Sequence, residues 1–189
     1  MTYENATHET RGSDLLAVLG VVKLPEQILG PVWVERLRSL QPDGWYPIVM
    51  LLELLETLAK RGGTASLVQM GRQLFRDSHQ ARVTPDFKSA GDVIFGMDAM
   101  YHHANRGQNI GGWKVTKFKP GVAVLEKTTP HLCALEEGIL LEALHTIGAE
   151  SLIIQSKCRT RGDTLCEFEI RSSVRDDRWM GSHKVVEPS

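Results

Sequence analysis

Three cysteines, Cys133, Cys158 and Cys166, are the thiols of this 189-residue chain, and all three fall in its last third. Residues 151 to 171 read as a β-hairpin with one cysteine on each arm. Leu152, Ile154, Ser156 and Cys158 share one parity, and Cys166, Phe168 and Ile170 share another. A glycine-bearing odd loop centred on Gly162 sets Cys158 opposite Cys166, Ser156 opposite Phe168 and Ile154 opposite Ile170. Cys133 lies near the start of a predicted helix. A helix start and two facing strands can bring three thiolates onto one tetrahedral ion, and zinc suits sulfur donors. The plainer alternative is three small buried hydrophobes. A Cys158–Cys166 redox pair is a third reading, which a reducing compartment disfavours.

Other residues suggest other chemistry. His102 and His103, beside Tyr101, suggest a haem ligand, but neighbours on a helix point about 100° apart, so at most one faces a pocket. Trp45, Tyr46, Tyr101, Trp113 and Phe118 are candidates to line an apolar pocket, or are simply core. Glu136, Glu137 and Asp98 do not make an acid/base pair, since carboxylates are favoured early in a helix in any case. The chain has no nucleotide-binding glycine motif, no nucleophile elbow and no His-Glu-x-x-His.

These residues must be positioned by elements legible in the sequence. Residues 1–11 read as a flexible leader. Asp14 to Lys23 is apolar but too short for periodicity to choose helix or strand. Pro31 to Leu40 predicts a short helix. Trp45-Tyr46-Pro47 opens a stronger helix, with Leu51, Leu54, Leu55 and Leu58 in one stripe, stopped by Gly62-Gly63. Thr64 caps the next helix, to about Asp77, and another runs from about Phe87 to Asn105. Two strands follow from Trp113 to Lys127 around Pro120-Gly121. Thr129-Pro130 then opens a helix closed by Gly148, and the cysteine hairpin completes the order. The expected fold is α+β: a helical half (residues 12–106) packed on an antiparallel sheet of ββαββ order (107–171), in one compact domain. Residues 172–189 form a loose tail, with Trp179-Met180 the pair to dock.

Composition excludes several classes. The 42% hydrophobic and 24% charged fractions are those of an ordinary globular protein. With 22 basic against 23 acidic residues, no basic patch points to nucleic acid. No apolar run reaches the roughly 18 residues of a membrane span. A polar N-terminus and an odd cysteine count suggest the cytoplasm.

The set Gly112-Trp113, Pro120 to Leu125, Thr129 to Cys133, Gly138, Cys158 to Asp163 and Cys166 to Ile170 resembles the 4-vinyl reductase domain family. Trp45-Tyr46-Pro47 and Met70-Gly71-Arg72 are similar to a bacterial subgroup with a helical N-terminal half, so the likeness spans residues 12 to 171. The family is similar in fold to haem-nitric-oxide-binding domains and to vesicle-tethering TRAPP subunits. The resemblance implies a small-molecule pocket, often in a homodimer, as in bacterial sensory domains that detect aromatic compounds. In those relatives, cysteines at the three places found here, with a glutamate three residues before the second, hold zinc. This chain has Gln155 there, a weak ligand, with His131 as the obvious substitute. The tryptophan at the place of Trp113 lies around their ligand.

The functional expectation is a non-enzymatic sensory domain for a small apolar or aromatic molecule, signalling through a partner protein. Its expected ligand-binding residues are Trp113, Tyr101, Trp45 and Phe118, and its metal ligands Cys133, Cys158 and Cys166. Zinc is the expected cofactor and haem is not, because the Tyr-x-Ser-x-Arg signature of haem propionate binding is absent. The alternatives are an enzyme or carrier acting on a tetrapyrrole-like substrate, and a protein-interaction module like the TRAPP subunits.

Overall fold

Two hairpins build the sheet that carries the cysteines, and everything N-terminal to them serves as its cover. A computed structural model describes residues 7 to 83 and 85 to 187. Strand β1 (Glu9–Arg11) leads into α1 (Gly12–Val21), α2 (Pro25–Leu29) and α3 (Pro31–Arg38). Strand β2 (Trp45–Pro47) precedes the long α4 (Ile48–Leu74), a π-helical turn (Phe75–His79) and α5 (Gln80–Val83). Helix α6 (Ala90–Ala104) runs into β3 (Asn105–Arg106). The C-terminal half is β4 (Trp113–Lys119), β5 (Val122–Lys127), α7 (Cys133–Thr146), β6 (Ser151–Lys157) and β7 (Cys166–Ser172), followed by α8 (Asp177–Met180). This is the expected α+β arrangement, with ββαββ order in that half.

The sheet is antiparallel in the order β4-β5-β7-β6. Alternation sends Phe118, Ala123, Leu125, Ile153, Phe168 and Ile170 inward, all buried. Helices α6 and α7 pack on the sheet and α4 packs on α7. The α4–α7 crossing is very close: a Cβ on Gly71 would stand 1.9 Å from the Leu135 carbonyl oxygen, and one on Gly138 2.0 Å from that of Val68. Glycine is required at both places because backbone meets backbone. Arg72 and Arg76 add ion pairs of 2.7 Å each to the buried Glu142 of α7.

Several expectations are corrected. Glu9–Arg11, assigned to the leader, form the middle strand of a small sheet of order β2-β1-β3; residues 1–6 lie outside the described residues. Trp45-Tyr46-Pro47 does not open the helix but is strand β2, because it pairs with β1. The break expected at Gly62-Gly63, by contrast, is present: Gly63 (φ +71°, ψ −179°) is non-helical, so α4 is two helices that meet at a kink. Helix α7 begins at Cys133, since Thr129 hydrogen-bonds Glu136 rather than capping. The tail is docked: Trp179 is fully buried and its Nε1 donates to the Lys119 carbonyl (2.8 Å), while Val186 bridges Phe118.

The cysteine hairpin forms, one residue out of the expected register. Ile153 pairs with Ile170 and Gln155 with Phe168; a bulge then brings Lys157 opposite Glu167. Cys158 has left the ladder and precedes a 3₁₀ turn (Arg159–Arg161) that ends on Gly162 at φ +99°. Asp163 sets this geometry by accepting the Cys158 N–H (2.7 Å). One residue of slip exchanges the two faces of a strand, so Leu152 and Ile154 face outward, 61% and 38% exposed.

Candidate metal centre and adjoining cleft

The register places the thiols. Trp113, Lys127 and Cys166 form one row across β4, β5 and β7, facing the start of α7. Cys133, the first residue of that helix, has its Sγ 3.3 Å from Cys166 Sγ. Cys158 reaches the same volume from the 3₁₀ turn, and the three sulfurs lie within 4.8 Å of one another. Sulfurs on a tetrahedral zinc ion stand about 3.8 Å apart for bonds of about 2.3 Å, so the donor set fits such an ion with small adjustments. Among the described residues no imidazole or carboxylate joins the three at that spacing.

Donors and one cation surround the sulfurs. Arg159 N–H points at Cys166 Sγ (3.4 Å), and the Thr160 hydroxyl lies 2.9 Å from Cys158 Sγ. Lys127 Nζ, 1% exposed, donates to the His131 carbonyl (2.6 Å) and to Cys133 Sγ (3.5 Å). Glu136 Oε2 lies 2.7 Å from that ammonium, an ion pair with both partners buried. The Thr129 hydroxyl donates to Glu136 Oε1 (2.7 Å), and His131 Nδ1 lies 3.5 Å from the same oxygen.

Burial sets the protonation pattern. It pushes the Cys133 thiol up to about 12; the Lys127 cation works against this and the neighbouring thiols reinforce it. The Cys158 thiol is held below its usual value: burial opposes this, and the Thr160 hydroxyl and N–H with the other two thiols outweigh it. Burial pulls Lys127 down against the attraction of the thiols, and takes His131 to about 3, aided by the Lys127 charge. Three clustered thiols cannot all ionise beside one lysine, but a divalent cation lets them do so.

Two cavities adjoin this cluster. A cleft of about 780 Å³ is lined by all three cysteines, Lys127, His131 and Gln155, with Leu52, Leu67, Ile110 and Leu132 on its apolar side. On the other side of His131, a cavity of about 40 Å³ lies among Tyr101, Trp113, Met97, Leu135 and Ile139. The four aromatic residues expected at a ligand therefore separate. Tyr101 and Trp113 line the small cavity, where burial raises the Tyr101 phenol and its hydroxyl donates to the Ile110 carbonyl (3.0 Å). Phe118 is fully buried and stacks on Trp179 at 6.0 Å. Trp45 lies between the Arg11 and Arg106 guanidiniums, 4.4 and 4.2 Å from its ring.

Sequence reasoning missed Lys127 and set Glu136 aside as an ordinary helix-start carboxylate. The signal was present: Ala123, Leu125 and Lys127 share a parity, so an inward strand face ends on a lysine. Glu136 is three residues from Cys133, on the same side of the helix. His102 and His103 face outward; His102 Nε2 is 3.5 Å from Asp98.

No protein-family model matches the chain, and no curated protein matches it. Among solved structures it is similar to H-NOX domains. An H-NOX protein from S. oneidensis in the Fe(II) ligation state superposes with a TM-score of 0.68 at 16% identity, over 89% of this chain and 99% of that one. An Fe(II) unliganded H-NOX protein from K. algicida gives 0.66 at 13% identity, over 86% and 96%. A Cs H-NOX mutant gives 0.67 at 10% identity, over 88% and 98%. At such identities the likeness is one of fold. The first two are described in iron(II) states, and another was solved to probe haem distortion. The cavity between α4, α6 and α7 does not fit a macrocycle, however: 40 Å³ holds a few waters, whereas ligand pockets run to about 300–1,000 Å³. No helix among the described residues is long and apolar enough to cross a membrane.

Proposed function

We propose that this chain is a small-molecule-sensing domain of the 4-vinyl reductase kind, built around zinc held by Cys133, Cys158 and Cys166. The observation that carries the reading is the convergence of three sulfurs within 4.8 Å on the wall of a ligand-sized cleft. The zinc ties α7 to the β6–β7 hairpin, so anything that shifts the cleft wall is felt by both. The ligand is a small apolar or aromatic molecule, matched to Leu52, Leu67, Ile110 and Leu132. Tyr101 and Trp113 stand one layer behind, where His131 links cleft and cavity. Binding rather than catalysis fits a site whose Lys127, Glu136 and Thr129 are engaged with one another. The output passes to a partner protein. Pairing of two copies is supported by exposed Leu152 and Ile154 on the edge strand β6.

Elemental analysis of protein purified without chelators tests the centre, with one zinc per chain expected and loss of it in Cys158→Ser. Titration with small aromatic compounds, followed by tryptophan fluorescence and lost or altered in Trp113→Phe, tests the binding. Protein without zinc whose stability is indifferent to Cys158→Ser, and whose fluorescence answers no aromatic probe, sinks the reading.

A further inference from the structure

We infer that the ligand itself supplies the fourth donor to the metal, and that it is a neutral donor on an apolar aromatic body, an azole nitrogen above all. This rests on the metal reading above and deepens it. A structural zinc site closes with four protein donors; a site with three keeps a position for something else. Among the described residues no histidine, aspartate or glutamate joins the three cysteines within 4.8 Å of one another. Gln155 faces inward through its pairing with Phe168, but its amide is a poor donor for zinc. All three cysteines line the cleft, so the remaining position is reached from it.

Charge and hydrogen bonding narrow the class. Three thiolates on a zinc ion leave one net negative charge, and the buried Lys127 ammonium, 3.5 Å from Cys133 Sγ, is already matched by Glu136 at 2.7 Å, so the centre is balanced at one negative charge. A neutral donor preserves that balance, and an anion in a buried site would upset it. Two buried atoms on the cleft residues are without a partner among the described residues, His131 Nε2 and Gln155 Nε2. His131 is nine-tenths buried. With Nδ1 toward Glu136, its Nε2 is an acceptor in the neutral ring. An azole offers both functions required, one nitrogen lone pair for the metal and one N–H for His131.

The test replaces zinc by cobalt(II) in the full chain and follows its visible d–d bands during titration with 4-phenylimidazole and with 3-phenylpyrrole, an isostere lacking the donor lone pair. Saturable band shifts with the imidazole alone are expected, and binding roughly tenfold or more tighter than the pyrrole's. His131→Ala should weaken that preference yet leave the cobalt bands of the free protein in place. Cobalt-loaded protein whose bands ignore both probes, or whose bands change on His131→Ala or Gln155→Ala alone, means that the protein fills the position, and the inference falls while the metal reading stands. Protein that takes up neither zinc nor cobalt removes the metal reading itself.

Discussion

The two ends of the inner sheet face are built on opposite principles. At one end Phe118, in a cross-strand row with Ala123 and Ile170, is edge-on to Phe95 at 5.2 Å and stacked with Trp179. At the other end, in the row Trp113, Lys127 and Cys166, the last two touch Cys133, Glu136 and His131 directly, beside the cleft. The first end converts apolar area into stability. The second holds a lysine and a glutamate out of water, where desolvation consumes much of what their attraction returns. An end that costs stability is where a binding role is to be sought, and the aromatic end supplies the margin that makes it tolerable.

The sharpest way to break this comparison is Trp179→Ala. Losing a fully buried indole and its bond to the Lys119 carbonyl is expected to cost about 3–5 kcal/mol in urea unfolding. Zinc content at neutral pH, measured on the folded fraction, should not change. Loss of metal in the folded variant would show that the two ends are not separable.

Lys127→Met attacks the opposite end. It leaves Glu136 buried without its cation, at a cost of about 3 kcal/mol, and removes the cation beside the thiolates, lowering zinc affinity roughly 10- to 100-fold. The double variant Lys127→Met with Glu136→Gln should regain most of the stability and little of the affinity. If the two properties recover together, Lys127 serves only its ion pair and not the thiols.

Legibility in the sequence divides along the same line. Helices α3, α4, α6 and α7, both hairpins and the ββαββ order were readable because their apolar periodicity answers to a single core, whereas the short apolar run of α1 left helix and strand open. The convergence of three cysteines was readable too, since helix start and hairpin are both local features. Hidden was the register: a bulge beside Ser156 and the Asp163 bond to the Cys158 N–H are tertiary choices that parity counting does not see. Hidden for a related reason was β1, three residues whose strand state exists only by pairing with Trp45–Pro47 and Asn105–Arg106. A pair of alanine variants measures the register directly. Ile153→Ala, at 8% exposure, is expected to cost about 2 kcal/mol or more, and Ile154→Ala less than about 0.5. The reverse order would restore the pairing expected from parity.

The smallest effect belongs to a polar cluster at the aromatic end. Asp92 completes the capping box of α6, accepting from the N–H groups of Lys88 and Ser89 and from the Ser89 hydroxyl. Its other oxygen lies 2.9 Å from His183 Nε2, whose ring stacks on Phe95 at 4.6 Å. Burial tends to raise the Asp92 carboxyl, but the bonds from His183, Ser89 and Lys88 outweigh it and hold the group below the ordinary aspartate value of 3.8. A group depressed in the folded state stabilises above its unfolded value and loses that contribution as pH falls through the folded one. Asp92→Asn should therefore cost about 1 kcal/mol at neutral pH, and the gap to the parent should close as urea unfolding is repeated below about pH 4. Metal released from both proteins in acid cancels in that difference. A gap constant across the acid range would assign the loss to packing around His183 rather than to the Asp92 charge.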